Sequence, residues 1–442
     1  MSPSLLIAMF VVFVGFAWIA ALSRRAAQQA SWAKVAEQRR LRFVAASWPT
    51  PARIEGSIDD LFVTIQTFST GGGKNRRTFT RAVVRGATIP ASLKLSAEGI
   101  GTSIAKAFGG QDVTTGDARF DSRIRVQGGE ALCRAALSGE ARDAAVAAAS
   151  AARFEVSDGA VSVAYRGIIT DGVALDGLLS LTLTLARALA AAPPEPLTGL
   201  VMRIQEDPDE SVRRVALETL ITHYSQEPRV QQLLSELVEG SEFHLAILSA
   251  MALPSGGERV LSRAVESANL DAALRARALR AWSRRDPEAA SRWLGSAEWL
   301  QAPSELAAAA CGLAETLLGQ AAEPMLLKIL SREEESLQLA AVHALGFVGT
   351  VGSVEKLLSL SNRMILGELG AVARSSIQQI QSRAVGADAG QLSLSSGAEA
   401  TGGGLSAAEP AGGLSAAALP LTEPSDAGNV RHNSATRGKL PS

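Results

Sequence analysis

The chain is poor in the side chains that most often carry chemistry, with two cysteines and four histidines in 442 residues. Two cysteines in so long a chain, Cys133 and Cys311, do not make a disulfide framework. Both stand in Ala/Leu-rich helical contexts, where a thiol serves as a small apolar side chain. The histidines are His223, His244, His343 and His432. The residues that follow them are Tyr224, Leu245, Ala344 and Asn433, so no metal-ligand spacing emerges. Neither a Gly-x-Ser-x-Gly elbow nor a Cys–His arrangement is apparent. Charge of one sign is lacking too: 43 Lys and Arg balance 44 Asp and Glu, which gives no general attraction for nucleic acid. The expectation is a chain with no catalysis of its own, no cofactor, no metal and no nucleic-acid partner.

What is present begins with Leu5 to Leu22, an apolar run without a charge, at the short end of what crosses a hydrocarbon core of about 30 Å. A cleaved signal peptide is the competing reading, and Ala21 with Ser23 would suit a peptidase. Met1-Ser-Pro-Ser carries no basic side chain, however, and the run exceeds the usual ~7–15 apolar residues of a signal sequence. Residues 4–23 are therefore expected to be a transmembrane helix. Arg24, Arg25, Lys34, Arg39, Arg40 and Arg42 follow, opposed only by Glu37. The positive-inside rule keeps that side in the cytoplasm. The protein is expected to be single-pass in the cell inner membrane, N-terminus outside, with the bulk of the chain cytoplasmic. Residues 24–47 read as a juxtamembrane basic helix, because neither Gly nor Pro interrupts Arg24 to Val44. Its charges lie at head-group level, although setting topology is a sufficient job for them.

From Trp48-Pro49 the pattern turns to alternation, and residues 48–192 read as an α+β domain. Phe62–Phe68 and Thr78–Val84 form a hairpin whose connection, Ser69 to Arg77, carries Lys74, Arg76 and Arg77. Gly71-Gly72-Gly73-Lys74 lacks the remaining P-loop residues, since Phe68 and Asn75 occupy their positions. The loop is thus a mobile basic tip, either solvated or touching the inner leaflet. Further strands are expected at Leu93–Leu95, Arg123–Val126, Phe154–Val156 and Val161–Tyr165, the last two joined by an Asp158-Gly159 turn. Helices are expected around Ser103–Phe108, over Glu130–Ala152 with a break near Gly139, and over Asp171–Ala191. This last helix is apolar enough to span a membrane, but Asp176 and Arg187 make it a core helix. Asp117 and Asp121 suit turn capping better than acid–base work, no His or Lys being placed beside them. Gly116 to Val126 is similar to a segment of membrane-anchored bacterial proteins of unknown function, and that likeness implies no chemistry.

Six segments from Pro196 to Gln381 repeat one template. Their central small residues are Ala216, Ser249, Ala278, Ala310, Ala341 and Ala373. A period near 30 residues marks a helical repeat array. Apolar positions four before and four after each small residue share its helix face, and the small residue admits a close neighbour. A second amphipathic stretch precedes each, with Asp-Pro-Asp, Pro-Ser-Gly-Gly or Asp-Pro between them. Asp207-Pro-Asp-Glu-Ser-Val-Arg-Arg-Val-Ala-Leu-Glu-Thr-Leu220 resembles a HEAT repeat of the short bacterial type. Asp271 to Arg275 repeats the spacing of Asp209 to Arg213, which in HEAT families ladders between neighbouring repeats. The other four segments match by apolar and small positions only. The resemblance implies an α-helical solenoid of about six helix pairs over 195–384, binding partners through its second helices.

Residues 385–442 are rich in Gly, Ala and Ser and are expected to be a disordered tail, with Gly-Leu-Ser recurring at 404 and 413. On the array, Arg275, Arg277, Arg280, Arg284 and Arg285 concentrate positive charge, joined by Arg263 and Arg292. They are the candidate patch for an acidic peptide or anionic surface. Glu333-Glu334-Glu335 has a structural cause, a capping box between Ser331 and Glu334. The leading expectation is a membrane-anchored adaptor that binds a protein partner through its HEAT-like surface. The alternatives are an enzyme or enzyme subunit, since such repeats resemble those of phycobilin lyases, and a sensor whose α+β domain binds a ligand.

Overall fold

A computed structural model describes residues 23, 26–47, 50–72, 75–86, 88–97, 112–363 and 367–383. The expected membrane span, Arg24, Arg25, Lys74, the helix around Ser103–Phe108, His432 and the tail lie outside the described residues.

The first part is an eight-stranded, wholly antiparallel sheet in the order β1-β2-β3-β4-β8-β7-β5-β6. The strands are β1 (Arg42–Val44), β2 (Arg53–Ile58), β3 (Leu61–Thr70), β4 (Arg77–Arg85), β5 (Lys94–Ala97), β6 (Ile124–Gln127), β7 (Arg153–Ser157) and β8 (Ala160–Arg166). The expected hairpin is β3–β4, in register from Phe62↔Arg85 to Thr70↔Arg77. Asp158-Gly159 makes the β7–β8 turn with both residues at positive φ (51° and 68°), the backbone a two-residue hairpin requires. Asp59-Asp60 makes the same kind of turn between β2 and β3 without a glycine, at φ 49° and 62°. Alternation places Val63, Ile65, Ala82, Val84, Val161 and Val163 in one core.

Helices cover that core. The helix expected to break near Gly139 is α3 (Glu130–Ala136) followed by α4 (Gly139–Ala151), started by the Ser138 hydroxyl on the Ala141 N–H. Among the described residues α5 (Gly172–Ala190) is long and apolar enough to cross a bilayer. Instead it packs on β4, β8 and α4, with Leu175, Leu178, Leu179 and Leu183 in the core. Asp171 caps its first turn by accepting from the Ala174 N–H. The two charges that argued for a core helix are paired, Asp176 with Arg39 and Arg187 with Asp59.

The expected basic helix over 24–47 is corrected. The helix α1 covers residues 26–38 and ends there, because Arg40 takes a left-handed conformation (φ 57°) and β1 follows at Arg42. Trp32, Val35 and Ala36 are buried in the core of the α+β domain, so α1 belongs to it. The Trp32 indole donates to the Ile169 carbonyl at 2.9 Å.

The second part is helical. Its labels are α6 (Pro196–Glu206), α7 (Glu210–Tyr224), α8 (Pro228–Val238), α9 (Phe243–Ala252), α10 (Glu258–Glu266), α11 (Ala272–Arg285), α12 (Pro287–Gly295), α13 (Ser304–Leu318), α14 (Glu323–Ile329), α15 (Glu335–Val348), α16 (Val351–Arg363) and α17 (Glu368–Arg383). Within it α6 packs on α7, α8 on α9 and α10 on α11. Helix α7 also packs on α9, α9 on α11 and α11 on α13. Residues to Ala344 form one compact unit and those from Leu345 another; in the latter α16 packs on α17. All six central small residues fall in odd-numbered helices from α7 to α17, at 2% exposure or less. Of their flanking template positions only Leu274 is not buried. The expected capping box at α15 does not form: the helix starts at Glu335, so Ser331 stands four residues ahead of it with its N–H on the Lys328 carbonyl, and Glu334 accepts from Arg332 instead.

Candidate functional site

The most elaborate arrangement of charge lies where α4 meets the turn between α6 and α7. Arg142 is 3% exposed on the otherwise apolar face of α4. It donates to both oxygens of Asp207 (Nη1 at 2.9 Å, Nη2 at 3.0 Å), to Asp117 from Nε at 3.1 Å, and to the Leu137 carbonyl at 3.0 Å. Arg203 approaches Asp207 at 4.0 Å, so two arginines and two aspartates balance within a buried cluster. Burial opposes the charge on Arg142, but the bonds and charges of Asp207 and Asp117 prevail and raise its pKa. Asp117 is likewise opposed by burial, yet the Phe120 N–H and Arg142 hold its carboxyl below the usual range. Arg203 shifts the other way: burial dominates and its Nε has no acceptor among the described residues.

Close backbone approach seals the same junction. A Cβ on Gly199 would meet the Ala135 Cβ at 2.7 Å and its carbonyl oxygen at 3.1 Å. Gly116, at φ 93°, lies equally close to the Ser211 carbonyl. A cleft of about 650 Å³ opens beside the cluster, lined by Asp117, Arg119, Arg142, Asp143 and Asp209. Its charges are already engaged. Arg119 pairs with Asp143, and Asp209 caps α7 on the Ser211 N–H. Asp117 caps α2 (Ala118–Asp121), while Asp121 accepts from Thr115 and Gly116. Both aspartates thus serve turns, as their spacing suggested, and the cluster has the chemistry of a structural weld.

The five arginines of α11 divide. Arg277, Arg280 and Arg284 are exposed, spaced three and four apart on one face, with no ion pair among the described residues. Arg275 and Arg285 leave the patch. Arg275 donates to the Val265 carbonyl at 2.9 Å, and Arg285 donates to the carbonyls of Leu253 and Gly256. Burial lowers the pKa of both. Arg263 lies over the Phe243 ring at 5.2 Å.

Arg285 is one of several arginines that reach about one repeat away. Arg213 donates to Glu242, Arg332 to the carbonyls of Leu300 and Ala302, and Arg383 to those of Gly346 and Gly349. Asp209 and Asp271 each cap a helix, but only Arg213 reaches a carboxylate at the start of a following second helix, and that is Glu242.

Of the membrane-proximal basic set, Lys34, Arg40, Arg42, Arg76 and Arg77 are exposed. Arg39 is withdrawn into a two-bond pair with Asp176 (2.6 and 2.7 Å) and a bond to Ser180. The histidines stay apart: His223 faces Glu130 at 3.4 Å and His244 faces Glu210 at 3.2 Å. No group of three or more potential metal ligands occurs among the described residues.

Sequence reasoning missed Arg142 and the role of Asp207. One signal was there, an arginine on the Ala141–Ala145–Ala148 stripe of α4. No family model matches this chain, and no curated protein or solved structure matches it either.

Proposed function

We propose that the protein is a membrane-anchored adaptor, held by residues 4–23 and binding a protein partner on a HEAT-like array over 195–384. The observation that carries the reading is the packing of odd-numbered helices on one another, α7 on α9, α9 on α11 and α11 on α13, each with a buried small residue at its centre. Such stacking spreads one core over many short helix pairs and leaves a broad lateral surface for a partner. The partner surface is the exposed stripe Arg277, Arg280 and Arg284, and it suits an acidic segment. Catalysis is not part of this reading, since the charges that line the junction cleft are engaged in ion pairs and helix caps.

The test places a photo-crosslinking residue at Arg280 in the full-length protein in its own cells, and a second at Glu266 on α10. The expected result is a discrete adduct from position 280 alone, lost when Arg277 and Arg284 are changed to Glu. Equal adducts from both positions, or an adduct indifferent to the charge reversal, would overturn the reading. A reporter active only outside the cytoplasm, fused after Ser442, should be silent; activity would overturn the topology.

A further inference from the structure

The α+β domain has two chemically different ends. Chain direction fixes which features share an end. Helix α1 runs alongside α5 in the same direction, because residues 31–35 lie at Ile169–Gly172 and Arg39 lies at Asp176 and Ser180. Residue 26 therefore projects about 8 Å past the start of α5 at the 1.5 Å rise of a helix. The apolar run 5–22 precedes this point in the chain.

The β3–β4 hairpin ends on that same side. Phe79 pairs with Arg166, the Gly167 N–H donates to the Thr78 carbonyl, and the Ile169 N–H donates to the Thr80 hydroxyl. Arg76 and Arg77 at the hairpin tip, and Arg166 at the end of β8, are exposed there. Between them and α5 stand large apolar side chains in solvent: Tyr165 is 52% exposed, Ile168 51% and Val173 81%. An apolar groove of about 420 Å³ opens beside them, walled by Ala174, Gly177, Leu178 and Leu181. Asp171 is the one carboxylate in the 165–173 stretch, and it is occupied in capping α5. The opposite end carries the Asp59-Asp60 and Asp158 turns.

We propose that the end bearing Arg76, Arg77, Arg166, Tyr165, Ile168 and Val173 docks on an anionic lipid surface. This rests on the membrane-anchored reading above for its setting, and the contact is separate from the span. Apolar side chains enter the interface while the arginines meet lipid phosphates, the division of labour of an interfacial membrane contact. The patch lies on the side from which the chain reaches α1, so a bilayer holding the preceding segment would confront it. Each arginine near an anionic surface is worth about a fivefold shift toward the docked state, converted from roughly 1 kcal/mol per charge. Reversal of all three would abolish docking.

The test uses the full-length chain with an environment-sensitive dye on Val173→Cys, and a control dye on Ala191→Cys at the far end of α5, about 27 Å away by helical rise. Cys133 and Cys311 are buried, so the dye goes to the new thiol. The protein is reconstituted with phosphatidylcholine vesicles that contain or lack phosphatidylglycerol, and flotation is scored beside dye emission. The expected result is a blue shift and loss of iodide quenching at 173 with phosphatidylglycerol. Position 191 should not change, and R76E/R77E/R166E should erase the effect. Flotation with every vesicle but an unshifted dye at 173 would overturn docking and leave the anchor standing. Flotation only with phosphatidylglycerol, accompanied by the blue shift, would support docking and overturn the anchor. Failure to float with either vesicle would overturn both.

Discussion

Asp207→Asn keeps the shape of the side chain and removes the charge that balances Arg142. The Asp207 side chain has no solvent exposure and that of Arg142 has 3%, so water cannot replace the lost partner. Breaking a buried pair from one side costs about 3–5 kcal/mol. Asp117 still neutralises part of the guanidinium charge, which places the cost near the low end, about 3 kcal/mol. That is a large fraction of the ~5–15 kcal/mol by which domains are stable. The assay is hydrogen exchange by mass spectrometry on the full-length protein. Peptides from α4, α6 and the α6–α7 turn should lose protection by roughly two orders of magnitude, the factor that about 3 kcal/mol represents. Arg142→Met combined with Asp207→Asn should cost less than the two changes summed, because the orphaned cation is then gone. A loss below ~1 kcal/mol for Asp207→Asn, or strict additivity with Arg142→Met, would refute the weld.

Ser249 occupies a position that holds Ala in the other five segments, and its buried hydroxyl has no partner among the described residues; Ser249→Ala should raise stability by about 1 kcal/mol in urea unfolding. Gly199→Val drives methyl groups into the Ala135 carbonyl and should destabilise by ~1–3 kcal/mol, visible as a lower unfolding midpoint. Acid should loosen α1. The hydrogen bond from Arg39, aided by its charge, holds Asp176 below its usual pKa. A depressed carboxylate stabilises the fold above the unfolded value of about 3.9 and ceases to as pH falls through the folded one. Proteolysis near Arg40 should therefore accelerate below that range, and Asp176→Asn should show the faster cleavage already at neutral pH. Burial pushes the Cys133 thiol up to about 11 and Cys311 up to about 12, so neither should react with a thiol reagent until the chain unfolds.

Local signals were legible wherever the pattern repeats within a few residues. The β3–β4 hairpin and the small central residues of the odd-numbered helices followed from periods of two and 3.6, and the β7–β8 turn followed from its Asp158-Gly159 pair; the Asp171 cap came only with the structure. Helix α1 was half legible: its Trp32, Val35 and Ala36 stripe is short, and the surrounding arginines drew attention to lipid. Strands β1 and β2 escaped because Arg53-Ile54-Glu55-Gly56 has too few apolar residues to announce a buried face. The Arg142 cluster joins positions up to 65 apart in sequence, and no short window holds both partners. The arginines of α11 looked alike in the sequence. What separates Arg275 and Arg285 from the other three is the side of the helix each takes and the carbonyls found there.

Most of the arginines that reach across neighbouring segments grip main-chain oxygens, which every residue type offers. Mutation can therefore rewrite the receiving positions almost freely while each clasp survives. Descendants of this chain would be free to diverge until little remained in common beyond a few arginines, small residues at helix centres, and the intervals between them.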